Sequence, residues 1–458
     1  MKKIIYQIIL MMLSIGLVWV ERVQAESESL PNIIFYFSDD LGYADLACYG
    51  HPYAKTPVLD KLASEGARFE QHYVTGVTCS PSRTGVMTGI HCARFENYPA
   101  YHGFGERTTI TELLKKRGYQ TAHFGKWHIS ARGSETHGIY GIDHVFTDKQ
   151  AETEFGRDYT PVKHAIDYIK EHAGKKPLYI NIWGHSTHYP VQANPDFASK
   201  FIEVKVKPQD FEKTIHHKFD LCKEIGADVD VSMRNYLGDV YSVDFNVGKV
   251  LKAIDEVGIR ENTLFVYSSD HGPAPINTNK SDDELAGNML GYAGVFRGGK
   301  HDKTEGGIRV PFIIRWPGKV EAGRVDSDSI TSFIDWMPTL ASIAGVQDLP
   351  EQMDGEDISD IWLGQTRERK TPLFWKTSSV NSPAAIRQGK WKYHEGGKRT
   401  EPALYDLRAD PSESRNLAKE EPEVAAELQA KVDAWSAELP KSYNKERVKK
   451  KKNKKDEA

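Results

Sequence analysis

The sequence predicts an α/β protein: a large, mostly parallel sheet flanked by helices, followed by a smaller C-terminal subdomain of antiparallel strands and a helix. Three observations carry this. Between residues 31 and 320, short β-rich runs alternate with helical ones. Ile33-Ile34-Phe35-Tyr36-Phe37 is apolar throughout, as strands are when a parallel sheet is covered on both faces. Beyond about residue 366 the texture changes to short strands separated by turn residues.

The elements follow in order. Thr56-Pro57 opens a helix bearing Val58, Leu59 and Leu62, and Gly66 is placed to close it. Thr109 and Glu112 form a capping-box pattern before Leu113 and Leu114; Gly118 ends that helix and a strand from Gln120 to Phe124 follows. A helix near Val162 to Glu171 leads into the strand Leu178 to Ile182. A longer helix carries Tyr236, Val240, Val243, Val247, Val250, Leu251 and Ile254 at spacings of three and four, then gives way to the strand Thr263 to Tyr267. The C-terminal strands are expected at Leu373 to Thr377, Ala384 to Arg387, Lys390 to Tyr393 and Ala403 to Leu407. A helix with Pro422 in its first turn then presents Val424, Leu428, Val432, Trp435 and Leu439 on one face.

With 458 residues, 39% hydrophobic and 27% charged, the chain is globular and long enough for one large domain and an appendage. No internal repeat is evident, which argues against a solenoid or propeller. Lys2 and Lys3 precede an apolar run from Ile8 to Val20, and Val23-Gln24-Ala25 has the small-residue form of a leader cleavage site. Residues 1–25 are therefore expected to be a signal peptide; no Cys follows the apolar run, so no lipid anchor and no stable membrane anchor are expected, and the mature protein should be periplasmic or secreted. The expected organisation is a catalytic domain at 26–365, a C-terminal subdomain at 366–444 and a Lys-rich disordered tail at 445–458. The chain has 60 basic against 64 acidic side chains. Because leader and tail carry a basic excess, the body between them stands at about −11, which excludes a general nucleic-acid binder. Four cysteines, Cys48, Cys79, Cys92 and Cys222, are too sparse for a disulfide scaffold and show no zinc spacing.

Ligands in open α/β sheets bind beyond the carboxyl ends of the strands. The residues just after four expected strands are Ser38-Asp39-Asp40, Gly125-Lys126-Trp127-His128, His185-Ser186-Thr187-His188 and Ser269-Asp270-His271. Asp39, Asp40 and Asp270 make a costly cluster of like charge unless a cation sits among them, and hard oxygen ligands suit Ca²⁺ or Mg²⁺; His271 is less typical of such a site. His185, a loop histidine without a motif, is graded below His188, and Cys48, Cys92 and Cys222 are read as small buried groups.

Cys79-Ser80-Pro81-Ser82-Arg83, followed by Thr84-Gly85-Val86-Met87-Thr88-Gly89, is the most specific signal. Read locally it is a buried thiol before a helix starting at Pro81. It also closely resembles the signature of the type I, formylglycine-dependent sulfatases of the alkaline phosphatase superfamily. The resemblance continues through Pro31 to Tyr43, Gly118 to His128, Thr187-His188-Tyr189-Pro190, Ser269 to Gly272 and Gly299-Lys300 with Glu305 to Pro311. Asp335 to Thr339 and Leu404 to Leu407 with Asp410-Pro411 are similar to family segments read as structural. The departure is His271, where many relatives have Asn.

The resemblance implies an alkaline phosphatase-like fold and a Cys79 oxidised to formylglycine by a maturation enzyme. It implies one divalent cation per chain, Ca²⁺ ahead of Mg²⁺, held by Asp39, Asp40, Asp270, His271 and residue 79. By family precedent Arg83 steadies the formylglycine, Lys126 touches it and the sulfate, His128 is the base that releases sulfate, and His188 with Lys300 bind sulfate and protonate the leaving oxygen. The implied substrate is a sulfated polysaccharide or oligosaccharide, algal or glycosaminoglycan, with the segments after Gly89 and at Pro273 to Lys280 as candidates for discrimination. Two other readings stand beside this one: a phosphate or phosphonate ester hydrolase of the same superfamily, and a carbohydrate-binding protein on a retired sulfatase scaffold.

Overall fold

The computed structural model describes residues 30–129, 138–147, 156–191, 193–276, 290–377 and 382–441. The expected leader and Lys-rich tail lie outside the described residues, as does the 277–280 part of the expected discriminating segment. The first ten strands are β1 (Asn32–Ser38), β2 (Ala67–Phe69), β3 (His72–Tyr73), β4 (Gln120–Gly125), β5 (His144–Phe146), β6 (Leu178–Trp183), β7 (Thr263–Ser269), β8 (Phe312–Arg315), β9 (Arg324–Asp326) and β10 (Thr331–Ser332). The helices that position the site are α1 (Pro57–Ser64), α2 (Cys79–Thr88), α3 (Ile110–Lys116), α4 (Tyr159–His172), α5 (Val229–Glu256) and α6 (Trp336–Ile343).

The main sheet has eight strands in the order β5-β4-β6-β1-β7-β8-β2-β9. Pairing is parallel from β5 to β7, antiparallel on both sides of β8, and parallel again between β2 and β9. The two central runs lie side by side, with Ile34 opposite Ile180 and Phe265. Because successive side chains of a strand point to opposite faces, the apolar run of β1 splits into two cores. Ile33, Phe35 and Phe37 pack with Val86 and Met87 of α2, Leu113 and Leu114 of α3, and Trp336 and Leu340 of α6. Ile34 and Tyr36 pack on the other face with Leu59 of α1, Val162 and Ile169 of α4, and the Val240, Val243, Val247 and Val250 stripe of α5. Each such fully buried aliphatic side chain stabilises the fold by roughly 1.5–3 kcal/mol.

The capping box at Thr109 and Glu112 is formed in both directions. Two local readings are corrected. Gly66 follows α1 but does not adopt the left-handed conformation; its role is close approach, since a Cβ there would lie 2.0 Å from Ile314 O of β8. The signature helix begins at Cys79 rather than Pro81, because the chain turns from extended at Thr78 directly into the helix. Cys48 is half-buried, while Cys92 and Cys222 are buried as expected.

The C-terminal sheet has the antiparallel order β11 (Leu373–Lys376), β12 (Ala384–Gln388), β13 (Trp391–His394), β14 (Ala403–Asp406). It is covered by α7 (Pro422–Ala437), whose Leu428, Val432 and Trp435 pack on Ile386, Tyr393 and Leu404; Leu439 falls beyond the helix end. This sheet is tied to the main body by Trp375 Nε1, which donates to Val74 O at 2.7 Å, and by buried Lys392, which donates to Glu305 Oε1 at 2.8 Å.

Candidate active site

β4, β6, β1 and β7 are consecutive neighbours in the sheet and all run the same way. The residues that follow their carboxyl ends therefore meet along one edge: Lys126 and His128 after β4, His185 and His188 after β6, Asp39 and Asp40 after β1, Asp270 and His271 after β7. Helix α2 adds Cys79 at its first position and Arg83 one turn later, so both side chains lie on one face.

Asp39, Asp40, Cys79, Asp270 and His271 are all buried, and each offers a ligand atom within 4.8 Å of the others. Cys79 Sγ lies 3.2 Å from Asp39 Oδ1 and 3.2 Å from His271 Nε2. His271 Nε2 lies 3.0 Å from Asp40 Oδ1 and 3.4 Å from Asp270 Oδ1. Its other nitrogen, Nδ1, is 2.8 Å from Gly272 O. A carbonyl can only accept, so that contact places a ring proton on Nδ1 and turns Nε2 toward the cluster; burial opposes charge on the ring, but Asp270, Cys79 and Asp40 outweigh it and hold its pKa well above the ordinary value, and a bound cation would take the Nε2 lone pair. The donor set thus fits a divalent cation, with three carboxylates supplying hard oxygens.

Three cations border the cluster. Arg83 donates from Nε and Nη2 to Asp270 Oδ2 at 3.1 and 2.9 Å and from Nη1 to Lys126 O at 2.9 Å. Its guanidinium also lies over the rings of Phe37 and Trp183, at 5.3 and 5.0 Å. Lys126 Nζ makes a short contact with Asp39 Oδ2 and lies 3.4 Å from Cys79 Sγ. Lys300 Nζ donates to both oxygens of Asp40 at 2.8 Å. His188 Nε2 stands 3.9 Å from Asp40 Oδ2, and His128 is exposed on the open side. Lys300 is brought in by backbone packing: Gly272 N donates to Gly307 O at 3.0 Å, and a Cβ on Gly272 would lie 1.8 Å from Gly306 O, so only glycine allows the two segments to meet.

The charges set the protonation states. Burial works against the charge of Asp39 and is outweighed by Lys126, His188 and Arg83, so its carboxyl is held well below the usual range. Burial, then Asp270 and Asp39, push the Cys79 thiol up. Burial also opposes the charge of Lys300, but Cys79, Asp40 and Asp39 outweigh it and hold the ammonium above its ordinary value. His128 is exposed as a residue, yet the crowding of its ring and then the charges of Lys126 and Arg83 push it down to about 3. Burial lowers His188 as well.

Every site residue expected from the sequence is at this edge. His185 is there too, but it supports the loop: its Nδ1 is 3.3 Å from Asp158 Oδ1 and its backbone N donates to the same oxygen. The sequence reading missed Arg157, Asp158 and Asp239. Arg157 grips the backbone carrying His188, donating to His188 O at 2.6 Å and Pro190 O at 3.0 Å, and is held by Asp239 Oδ2 at 3.0 Å. Asp158, immediately before α4, makes no side-chain cap bond and accepts from His185 N and Ser186 N.

The family model described as "Sulfatase" matches residues 31–346. The chain belongs to the sulfatase family. A second model, "N-sulphoglucosamine sulphohydrolase, C-terminal", matches residues 299–438 of this sulfatase. It is 28% identical to an N-acetylgalactosamine-6-O-sulfatase of Bacteroides thetaiotaomicron, over 89% of this chain and 94% of that one. It is 30% identical to arylsulfatase A of Homo sapiens, over 84% and 83%. A solved structure of Ps i-CgsB in complex with k-i-k-neocarrahexaose shares the fold, with a TM-score of 0.75 and 23% identity, covering 90% of this chain and 94% of that one. The protein is a type I sulfatase of the alkaline phosphatase superfamily, and its chemistry is sulfate ester hydrolysis.

Proposed function

We propose that this sulfatase removes sulfate from a sulfated polysaccharide or oligosaccharide, algal or glycosaminoglycan in type, with a formylglycine made from Cys79 and one divalent cation, Ca²⁺ ahead of Mg²⁺. The observation that carries this reading is the buried convergence of Cys79 with Asp39, Asp40, Asp270 and His271, bordered by Arg83, Lys126 and Lys300. The substrate class is supported by the sugar named for the Bacteroides relative.

When present, the cation would be held by the three aspartates, His271 and residue 79, and would polarise the sulfate oxygens and acidify the attacking hydroxyl, which the hydrated formylglycine supplies. Without it, three aspartates face three basic side chains, Arg83, Lys126 and Lys300; two further positive charges leave room for an anionic ester. Arg83 fixes Asp270, and Lys126 reaches residue 79. His128, uncharged and open to solvent, takes the remaining hydroxyl proton of residue 79 as sulfate leaves. Lys300 and His188 bind the sulfate and supply the proton to the departing alcohol.

The reading includes a maturation enzyme as partner, a periplasmic or secreted location, and a catalytic unit at 26–365 followed by a subdomain at 366–444. Sulfate and phosphate release from matched aryl esters tests the chemistry: sulfate release is expected to be faster, and faster phosphate release overturns it in favour of the phosphohydrolase reading. A panel of sulfated oligosaccharides tests the substrate class, with turnover expected on at least one sulfated sugar and none on any of them counting against it.

A further inference from the structure

A cleft of about 1050 Å³ separates the edge of the main sheet from the C-terminal sheet, lined by Gln71 and Arg309 on one side and by Arg387, Lys390, Trp391 and Arg408 on the other. None of its lining residues belongs to the active-site cluster. Lys303, three residues beyond Lys300, touches the C-terminal sheet at Pro383 O, just before β12. Arg387 and the turn to Lys390 lie at the far end of that strand, about 10 Å or more away at roughly 3.3 Å per residue.

Arg387 is only 4% exposed, yet no carboxylate pairs with it among the described residues. Its donors go to neutral acceptors: Gly389 O, the Tyr73 hydroxyl and Gln71 Oε1. The two buried carboxylates nearby, Glu305 and Glu413, are already taken by Lys392 at 2.8 and 3.1 Å, and Arg309 lies 3.3 Å from Glu305. Lys392 and Arg309 therefore take up both carboxylates, and the charge of Arg387 is left at the cleft floor without one. A buried charge without a partner is costly, and an anion in the cleft offsets that cost. Arg408 is exposed, and its side chain has no ion-pair partner among the described residues. Lys390 is paired with Asp406. On the main-body wall Asp328 and Glu368 stand beside Arg309, Arg367 and Arg369, which are paired with Glu305, with Glu356 and Asp360, and with Asp335; on the C-terminal wall Glu427 is paired with Lys431, so the two arginines without a carboxylate partner, Arg387 and Arg408, are both on the C-terminal wall. Trp391, half-buried, has Lys390 Nζ over its ring at 4.4 Å, so the two side chains line the cleft together as an ammonium seated on an aromatic ring.

We propose that this cleft is a second binding site that holds a sulfated stretch of the substrate glycan at Arg387 and Arg408, away from the ester being cleaved. The volume favours an oligosaccharide over a lone tetrahedral ion, since pockets for ligands of several rings run to about 300–1,000 Å³. Anchoring the chain a second time raises the local concentration of its sulfates at the active site, and gives a polyanion a foothold on a body of about −11. The proposal rests on the reading of the substrate as a sulfated glycan.

The test uses the full matured enzyme, with R408E, W391A and the double variant, all at exposed or half-buried positions, and R387Q beside them. With a sulfated galactan hexasaccharide, R408E/W391A is expected to raise KM by about fivefold or more, while kcat/KM for a small aryl sulfate stays within about twofold. Equal effects on both substrates, or none on the hexasaccharide, overturn the proposal. Direct binding to the C79A protein supplies an arm independent of turnover. The sulfated hexasaccharide should bind the parent surface more tightly than the R408E/W391A surface, and its unsulfated counterpart should show no such difference. If inorganic sulfate alone binds as tightly as the hexasaccharide and is weakened equally by R408E, the cleft is a site for the free ion and the proposal fails. Failure to cleave any aryl sulfate, with the binding arm intact, would instead count against the functional reading.

Discussion

His128 has to accept a proton in a neighbourhood of cations, and the same neighbourhood keeps it uncharged. Its pKa, pushed down to about 3 by ring crowding and then by Lys126 and Arg83, leaves the imidazole neutral above roughly pH 4. The kcat/KM profile on an aryl sulfate should therefore show no acidic limb near pH 6.5 arising from this residue; a limb there that disappears in H128A contradicts the lowered pKa. Lys300 carries the opposite expectation. K300A should slow esters of poorly acidic alcohols by on the order of a hundredfold and activated aryl esters much less, as loss of a proton donor does. An equal loss on both classes removes that role. Lys300 follows no strand end and was reached only through the family resemblance of Gly299-Lys300; His128 was legible in the sequence because it follows a strand end, where local pattern and topology coincide. Arg157 and Asp239 were not, because their partnership with His188 joins chain positions 31 and 82 residues apart from Arg157, and no local spacing encodes it.

At the scale of elements, α1 and α5 are joined by a buried carboxylate. Asp244 of α5 accepts from Leu59 N at 2.8 Å and Val58 N at 3.2 Å, in the first turn of α1. Burial nonetheless pushes its pKa up to about 7 from an ordinary value of 3.8. The folded state then binds the proton more tightly than the unfolded chain, so this contribution to stability is full below about pH 4 and is lost as pH rises toward 7. D244N, neutral at every pH, should match the parent's unfolding free energy near pH 4 and exceed it near pH 8, by an amount on the order of a few kcal/mol at most. A variant less stable than the parent at pH 8 would mean that the helix amides hold the ionised carboxylate more strongly than burial opposes it. The long amphipathic α5 and the central strands were readable from periodicity. The two- and three-residue strands β2, β3, β9 and β10 were not, since so few residues show no period, and the reversal of β8 has no local signature.

The whole molecule is organised around one edge of one sheet, braced from the C-terminal side by Lys392 on Glu305 and Glu413. Glu413 also accepts from Glu305 N at 2.7 Å, at the start of the segment whose glycines pack on Gly272. The alternation of strands and helices made the large fold readable, but this brace joins Glu305 to residues 87 and 108 positions further along and had no sequence signal. Because three buried aspartates sit together, chelation of divalent cations should abolish sulfate release and lower Tm by a few degrees, with Ca²⁺ restoring both. Unchanged activity and Tm after chelation count against the metal site. The central claim, that residue 79 works as an aldehyde hydrate, is tested most directly by mass spectrometry of the peptide spanning residue 79 in protein from its native host. The account predicts the mass of a side chain that has lost its sulfur and gained an aldehyde oxygen; an intact cysteine in fully active enzyme would contradict it.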